Sequence, residues 1–321
     1  MCRSLSALVS VAVVLAVTVG WATACNGAGT PPATAPAASP GKADDTLVAS
    51  SPPKAAASPA LTTFPAVDTS RLDAAGKAFF QKVANEEICP CDCPKSFGQC
   101  LQEGTKCKPA VLLGEWIVKS LEDGTPGEAL QEAITRELTG GFASAPKSPE
   151  TKGFASKGSN QPKYTIVEYA DFECAHCKAV SPVMDELVKA HPDVKLVYKH
   201  YPLPFHAMAR PAAIAAEAAG RQNKFWEMHS ALFSTQDFLS EDMIKGHAKA
   251  LGLDVPRFVK DLADPELAKR VDASRAEGQA LSVEFTPYFI VNGRPYFLSR
   301  TLEGFELRFR MEDARATSSC Q

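Results

Sequence analysis

The sequence predicts an α/β domain in residues 163–312 that follows a small cysteine-rich helical domain in residues 68–142. In the α/β domain, strand-like runs at 164–169 and 194–198 precede a long block of helical patterns, and a third run at 288–291 follows it. This order of strands and helices is typical of an α/β fold. In the earlier domain, five cysteines stand close together among segments of helical periodicity.

The composition is that of a globular protein. The chain has 321 residues, of which 45% are hydrophobic and 22% are charged, and its length suggests about two domains. The net charge of -3 gives no electrostatic basis for binding nucleic acid.

Residues 1–24 have the pattern of a signal peptide, since Arg3 precedes an apolar run that is too short to span a membrane comfortably. Ala22 begins a cluster of small residues suited to signal cleavage. The stretch from Ala22 to Cys25 also resembles a bacterial lipobox, which implies a lipid anchor on Cys25. Ordinary secretion and an uncleaved anchor helix are the alternatives. All three place the rest of the chain outside the cytoplasm, where disulfides persist.

Residues 25–67 are rich in alanine, proline and serine and contain few large apolar side chains. Such a segment buries too little surface to offset its ordering entropy, so we expect a disordered tether. A second polar linker is predicted at 143–162, and a short tail at 313–321.

The cysteine-rich domain is expected to contain three helices. Phe79 and Phe80 mark the first, residues 109–121 the second and residues 128–138 the third, which ends at a glycine pair. The α/β domain ends in a hairpin, because the dipeptide Asn292-Gly293 favours a tight turn between two strands.

The chemistry centres on the motif Cys174-Ala175-His176-Cys177, which lies where a strand gives way to a helix. A first cysteine at a helix N-terminus meets unpaired N–H groups that favour the thiolate, the reactive form. Half of a zinc site and an inert structural disulfide are the alternatives.

The residues around this motif resemble the thioredoxin superfamily, and most closely its bacterial DsbA-like branch. Glu168 lies six residues before Cys174, where the family has a buried acid. Pro182 lies five residues after Cys177, where the family has a proline that kinks the helix.

The resemblance covers residues 163–312 and implies a thioredoxin fold with a helical domain inserted at about 207–275. Thr286-Pro287 matches the segment whose proline is cis in the family. The resemblance implies that Thr286 and Pro287 dock the substrate chain by strand-like pairing.

The resemblance also assigns roles to the residues of the motif. Cys174 would be the nucleophile of a redox-active disulfide, Cys177 the buried resolving thiol, and His176 a group that tunes the thiolate. Glu168 would transfer protons; the alternative is an edge-strand glutamate that faces water. Three histidines are expected to be structural rather than catalytic: His200, His206 and His229.

The earlier domain vaguely resembles the three-helix thiol-reductase domain of CcmH-type proteins. Three interpretations stay open for its cysteines: a structural disulfide framework, a second redox centre, or a thiolate site for zinc or copper. With one further cysteine near the C-terminus the group numbers six, an even count that favours disulfides and allows 15 pairings. The group comprises Cys89, Cys91, Cys93, Cys100, Cys107 and Cys320.

The sequence therefore predicts an exported enzyme that exchanges thiols and disulfides in envelope proteins, with oxidation as the favoured direction. We expect no cofactor at the catalytic site. The expected partners are reduced exported proteins and a membrane redox partner that recycles the enzyme. Two alternatives are a thiol reductase or relay in cytochrome c or metalloprotein assembly, and a non-enzymatic metal-binding lipoprotein.

Overall fold

The computed structural model describes residues 60–91, 93–315 and 317–318. The predicted signal peptide, the lipidation site Cys25, most of the tether, and Cys320 lie outside the described residues, so what the sequence indicates for them stays a prediction. The described residues belong to one compact unit.

The cysteine-rich segment is helical, as predicted. Asp73 begins the first helix, because its side chain accepts a hydrogen bond from the backbone N–H of Gly76. The sequence interpretation missed one short helix among the cysteines, which is fixed by a capping box between Ser96 and Gln99. The helices are α1 (Ala74–Glu86), α2 (Phe97–Gln102), α3 (Lys108–Glu122) and α4 (Gly127–Arg136), and a π-helical turn (Glu137–Phe142) follows α4.

A five-stranded sheet forms the centre of the second half. Its strands are β1 (Ser156–Gly158), β2 (Tyr164–Ala170), β3 (Val194–His200), β4 (Tyr288–Val291) and β5 (Arg294–Tyr296), and they lie in the order β1-β3-β2-β4-β5. β2 runs parallel to β3 and antiparallel to β4, so β2 is a central strand. Asn292 and Gly293 both have positive φ angles in the turn between β4 and β5, which confirms the predicted hairpin.

A block of five helices stands between β3 and β4 and confirms the inserted helical region, which ends at Ala280 rather than near residue 275. The helices of this half are α5 (Ala175–Ala190), α6 (Ala209–Gly220), α7 (Phe225–Ser234), α8 (Glu241–Ala250), α9 (Val255–Leu262), α10 (Pro265–Ala280) and α11 (Leu302–Arg315). Within the described residues, no helix has both the length and the apolar character needed to cross a bilayer.

The cysteines of the first half are paired. Cys89 is bonded to Cys100 and Cys91 to Cys107, and Cys93 is also disulfide-bonded. This pairing agrees with the interpretation as a disulfide framework.

Three segments are more ordered than their composition predicts. Phe64 and Val67, at the end of the predicted tether, are buried, and the Phe64 ring lies 5.3 Å from that of Phe80. The predicted linker contains β1, and α11 extends into the predicted tail. The tether prediction was wrong here because isolated apolar side chains in a polar segment still reach the core.

A buried ion pair joins the cysteine-rich helices to the second half of the chain. Glu137 and Arg308 are both fully buried and paired with each other. The Glu137 carboxylate also accepts the backbone N–H of Phe297 at 2.8 Å, and Arg308 donates to the carbonyl oxygen of Pro295 at 3.1 Å. The two halves therefore share one core rather than meeting at a loose interface.

Candidate active site

Cys174 lies at the N-cap of α5, directly after the turn that follows β2. Its carbonyl oxygen accepts the backbone N–H groups of Cys177 at 3.0 Å and of Lys178 at 3.1 Å, which begins the helix. Cys174 and Cys177 are the free cysteines among the described residues. The strand-to-helix junction thus places both thiols of the motif together, as predicted.

The environment of Cys174 favours its thiolate and lowers its pKa from 9.0 to about 5. The largest cause is a hydrogen bond from the Cys177 thiol, and partial burial opposes it. A contact with Thr286 and the backbone N–H groups of Cys177 and His176 lower the pKa further. The N-terminus of α5 therefore stabilises the Cys174 thiolate, as expected. His176 contributes through its backbone N–H group, and its side chain is exposed.

Cys177 has the opposite character. It is fully buried, and burial raises its pKa well above the ordinary value, with Cys174 and Glu168 adding to the effect. At neutral pH one thiol of the pair is therefore ionised and the other is protonated. This asymmetry suits Cys174 as nucleophile and Cys177 as resolving thiol.

Glu168 is a buried acid on β2. It is 3% exposed, and burial raises its pKa to about 8. Lys157 lowers this pKa and Asp185 raises it, and these two residues form an ion pair with each other. The alternative of a water-facing edge strand is wrong, because β2 is paired on both sides. At pH 7 Glu168 is mostly protonated and can give a proton to Cys177.

The loop before β4 faces the nucleophile. The Thr286–Pro287 peptide bond is cis, as predicted. The Cys174 thiol donates to the Thr286 carbonyl oxygen at 3.3 Å, and the buried Thr286 hydroxyl has no hydrogen-bond partner among the described residues.

Two residues that the sequence analysis missed hold the active-site turn. Gln236, which follows α7, donates from Nε2 to the carbonyl oxygens of Phe172 at 2.7 Å and Cys174 at 3.0 Å. The buried Asp171 carboxylate accepts the backbone N–H groups of Glu173 and Leu203, both at 2.7 Å. Asp171 stands close enough to the motif to have been noticed, whereas no local pattern marks Gln236.

The three histidines make contacts suited to structural roles. His200 is buried and lies 3.0 Å from the Glu217 carboxylate. His229 is buried among aromatic rings, and burial lowers its pKa to about 3, so it is neutral. His206 is nearer to the active site than expected, because its Nδ1 lies 2.8 Å from the Asp171 carboxylate.

The sulfurs in the first half are close enough to share a metal ion. Those of Cys89, Cys91 and Cys107 lie within 4.8 Å of one another, and so do those of Cys89, Cys93 and Cys100. All of them are disulfide-bonded, and a disulfide sulfur is not the thiolate that metals require.

A CxxC pair at the end of a central strand, facing a cis-proline loop, defines the redox site of the thioredoxin fold. Residues 165–309 match the family described as DSBA-like thioredoxin domain. Residues 165–309 therefore form a DsbA-like thioredoxin domain.

Similar proteins are known in several bacteria. The chain is 42% identical over 149 residues to the Na(+)/H(+) antiporter NhaA 1 of Salinispora arenicola, a match that covers 46% of this chain and 23% of the relative. It thus spans about a quarter of that relative's length. A thioredoxin-like oxidoreductase from Silicibacter pomeroyi is 27% identical, with 50% of this chain and 94% of that chain covered and a TM-score of 0.45. Pseudomonas aeruginosa DsbA2 is 28% identical, with 46% and 86% covered and a TM-score of 0.41.

The first prediction concerns the thiolate. In the reduced protein, thiolate absorbance should titrate with a pKa of about 5 for Cys174. Cys177→Ala removes the main hydrogen bond and should raise that pKa, whereas Cys177→Ser keeps a donor and should raise it less. The ionised Cys174 stabilises the folded reduced state. Its contribution to the free energy of unfolding is complete above the ordinary cysteine pKa and is lost as the pH falls through 5. Equal titration of the three proteins would contradict the assignment.

The second prediction concerns Glu168. Glu168→Gln keeps the shape but cannot exchange a proton, so Cys177 should attack a glutathione mixed disulfide on Cys174 about 10²-fold more slowly. Quenched mass spectrometry measures the release of glutathione. The exposed Glu186 on α5 offers the control, and Glu186→Gln should release glutathione at the normal rate. A normal rate for Glu168→Gln would remove Glu168 from the mechanism.

Proposed function

We propose that the protein is an exported thiol–disulfide oxidoreductase that oxidises thiols of envelope polypeptides through a disulfide between Cys174 and Cys177. The opposite pKa shifts of these two thiols carry the proposal. In a pair that differs in this way, the client attaches to one sulfur while the other is released and protonated.

The reaction balances with two client thiols. A client thiolate attacks Sγ of Cys174 in the disulfide, the bond between Cys174 and Cys177 breaks, and Cys177 leaves as a thiolate that takes a proton from Glu168. The second client thiolate then attacks the client sulfur of the mixed disulfide, and Cys174 leaves. The client loses two electrons and gains a disulfide. Because the Cys174 thiolate is a stabilised leaving group, the reduced enzyme is favoured and the enzyme is an oxidant.

The client chain would dock beside this disulfide. Thr286 presents its backbone next to Cys174 at the start of a strand, and an extended client segment can add to such an edge by strand-like pairing. Pro287 has no N–H to compete for the client's carbonyl groups.

An extracytoplasmic location supports the same function. Disulfides such as Cys89–Cys100 and Cys91–Cys107 persist in oxidising compartments. A lipid on Cys25 would hold the enzyme at the membrane surface, near a membrane partner that accepts its two electrons. The paired state of the cysteine cluster favours a structural role for it over a metal site or an electron relay.

The third prediction tests client capture. Cys177→Ala protein, loaded at Cys174 with an aromatic thiol through a mixed disulfide, should exchange that thiol for the cysteine of a reduced exported polypeptide that contains a single cysteine. The covalent complex should persist on a non-reducing gel, because neither Cys177 nor a second client thiol is present to attack the mixed disulfide. Cys174→Ala protein treated in the same way should give no complex. Equal capture by both proteins would exclude Cys174 as the client-binding sulfur.

The fourth prediction tests the direction of electron flow. The reduction potential of the pair, measured in glutathione buffers, should lie above about -250 mV and towards the value of about -120 mV known for DsbA. A lower potential, close to that of thioredoxin, would indicate a reductase.

A further inference from the structure

A groove follows the seam between α4 and the residues on either side of the β4–β5 hairpin. It consists of two adjoining cavities of about 500 and 320 Å³. Because five residues line both cavities, they form one continuous channel, which we call the seam groove. The shared lining residues are Ala129, Ala133, Phe297, Leu298 and Ser299.

One end of the seam groove adjoins the client-docking loop. Phe285 lines this end and immediately precedes Thr286, whose carbonyl oxygen contacts the Cys174 thiol. Consecutive Cα atoms are about 3.8 Å apart, so the groove opens close to the reacting sulfur. A client segment that pairs with the Thr286 backbone can continue directly into it.

Two arginines stand over the Phe285 ring at this end. The Arg136 guanidinium lies 5.1 Å from the ring centroid and the Arg300 guanidinium 5.5 Å from it. Arg136 comes from the cysteine-rich half of the chain, and Arg300 from the segment after β5. The first half of the protein thus supplies one wall of a groove beside the active site.

The two arginines differ in whether a carboxylate of the protein pairs with them. Arg136 is paired with Glu284 at 2.7 Å and with Glu132 at 3.6 Å. Arg300 is exposed, and among the described residues it has no carboxylate within ion-pairing distance. Arg300 is therefore available for an anionic group that enters the groove beside an apolar ring.

We propose that the seam groove binds an extended segment of the client polypeptide, in which a glutamate or aspartate side chain pairs with Arg300. This inference rests on the proposed function for the identity of the ligand. An extended chain advances about 3.3 Å per residue, so moving the acidic residue by one position along the client shifts its carboxylate by about that distance relative to Arg300. An apolar client side chain would pack on Phe297 and Leu298 further along.

Ion pairs within the protein fix the walls of the seam groove in the absence of a client. The buried pair of Glu137 and Arg308 fixes the end of α4 against β5, and the pair of Arg136 and Glu284 braces the approach to Thr286. A preformed wall lowers the ordering cost of binding.

Binding can be measured without redox chemistry. Fluorescent peptides of identical sequence, with serine in place of the client cysteine, would carry one glutamate or one glutamine two, three or four positions from that serine. Fluorescence anisotropy with the full-length oxidised protein should show at least one glutamate peptide binding about fivefold more tightly than its glutamine partner, the factor expected for an exposed ion pair. Raised salt should reduce this preference.

Variants of Arg300 connect the preference to the groove. Arg300→Ala should abolish the preference for the glutamate peptide, Arg300→Glu should reverse it, and Arg300→Lys should retain most of it. Arg257 is an exposed arginine of the inserted helices that lines neither cavity, and Arg257→Ala should leave the preference unchanged. A preference that survives in Arg300→Ala, or that is absent in the wild type, would overturn the proposal.

The other occupants of such a groove give different results. If a second copy of the chain fills it, sedimentation will show a dimer that Arg300→Glu dissociates, with no peptide preference. If the segment before residue 60 fills it, peptides will bind only after that segment is removed. Either result overturns the proposal. Failure of the proposed function is distinguishable, because the glutamate peptides would then bind, but the same peptides with cysteine in place of serine would form no mixed disulfide with Cys174.

Discussion

The site depends on a difference in ionisation between two neighbouring sulfurs. Cys174 is held at the end of a helix, where N–H groups and the Cys177 thiol stabilise a negative charge. Cys177 lies one helical turn further in, where burial opposes any charge. If both thiols were equally acidic, neither would be preferred as nucleophile, and the mixed disulfide would have no defined direction of resolution.

The central position of β2 maintains this difference. β2 leads directly into the active-site turn and carries Glu168 on its buried length, paired between β3 and β4. β4 begins directly after the cis-proline loop, so pairing of β4 with β2 also sets the distance from Thr286 to Cys174. One strand therefore positions Cys174, the buried acid Glu168 and, through its neighbour, the backbone of Thr286.

Local signals in the sequence were enough to predict much of this arrangement. Three features can be recognised from a few consecutive residues each: the CxxC motif, the Asn292-Gly293 turn and the segment before Pro287. Gln236 could not be found in the same way, because its role depends on α7 bringing a distant amide onto the carbonyl oxygen of Cys174. Composition did not predict the order of Phe64 and Val67 either, because it averages over a whole segment and does not show which side chains reach the core.

The sequence predicts the cysteine-rich half as a separate domain, whereas the structure joins it to the second half through buried contacts. Glu137, which directly follows α4, forms a buried ion pair with Arg308 of α11. Removing either partner would leave a buried charge without its counter-charge and would destabilise the fold. The disulfides Cys89–Cys100 and Cys91–Cys107 close loops in the segment before α3. The ion pair of Arg136 with Glu284 joins the end of α4 to the segment two residues before Thr286. The first half of the chain therefore contacts the segment that leads into the cis-proline loop.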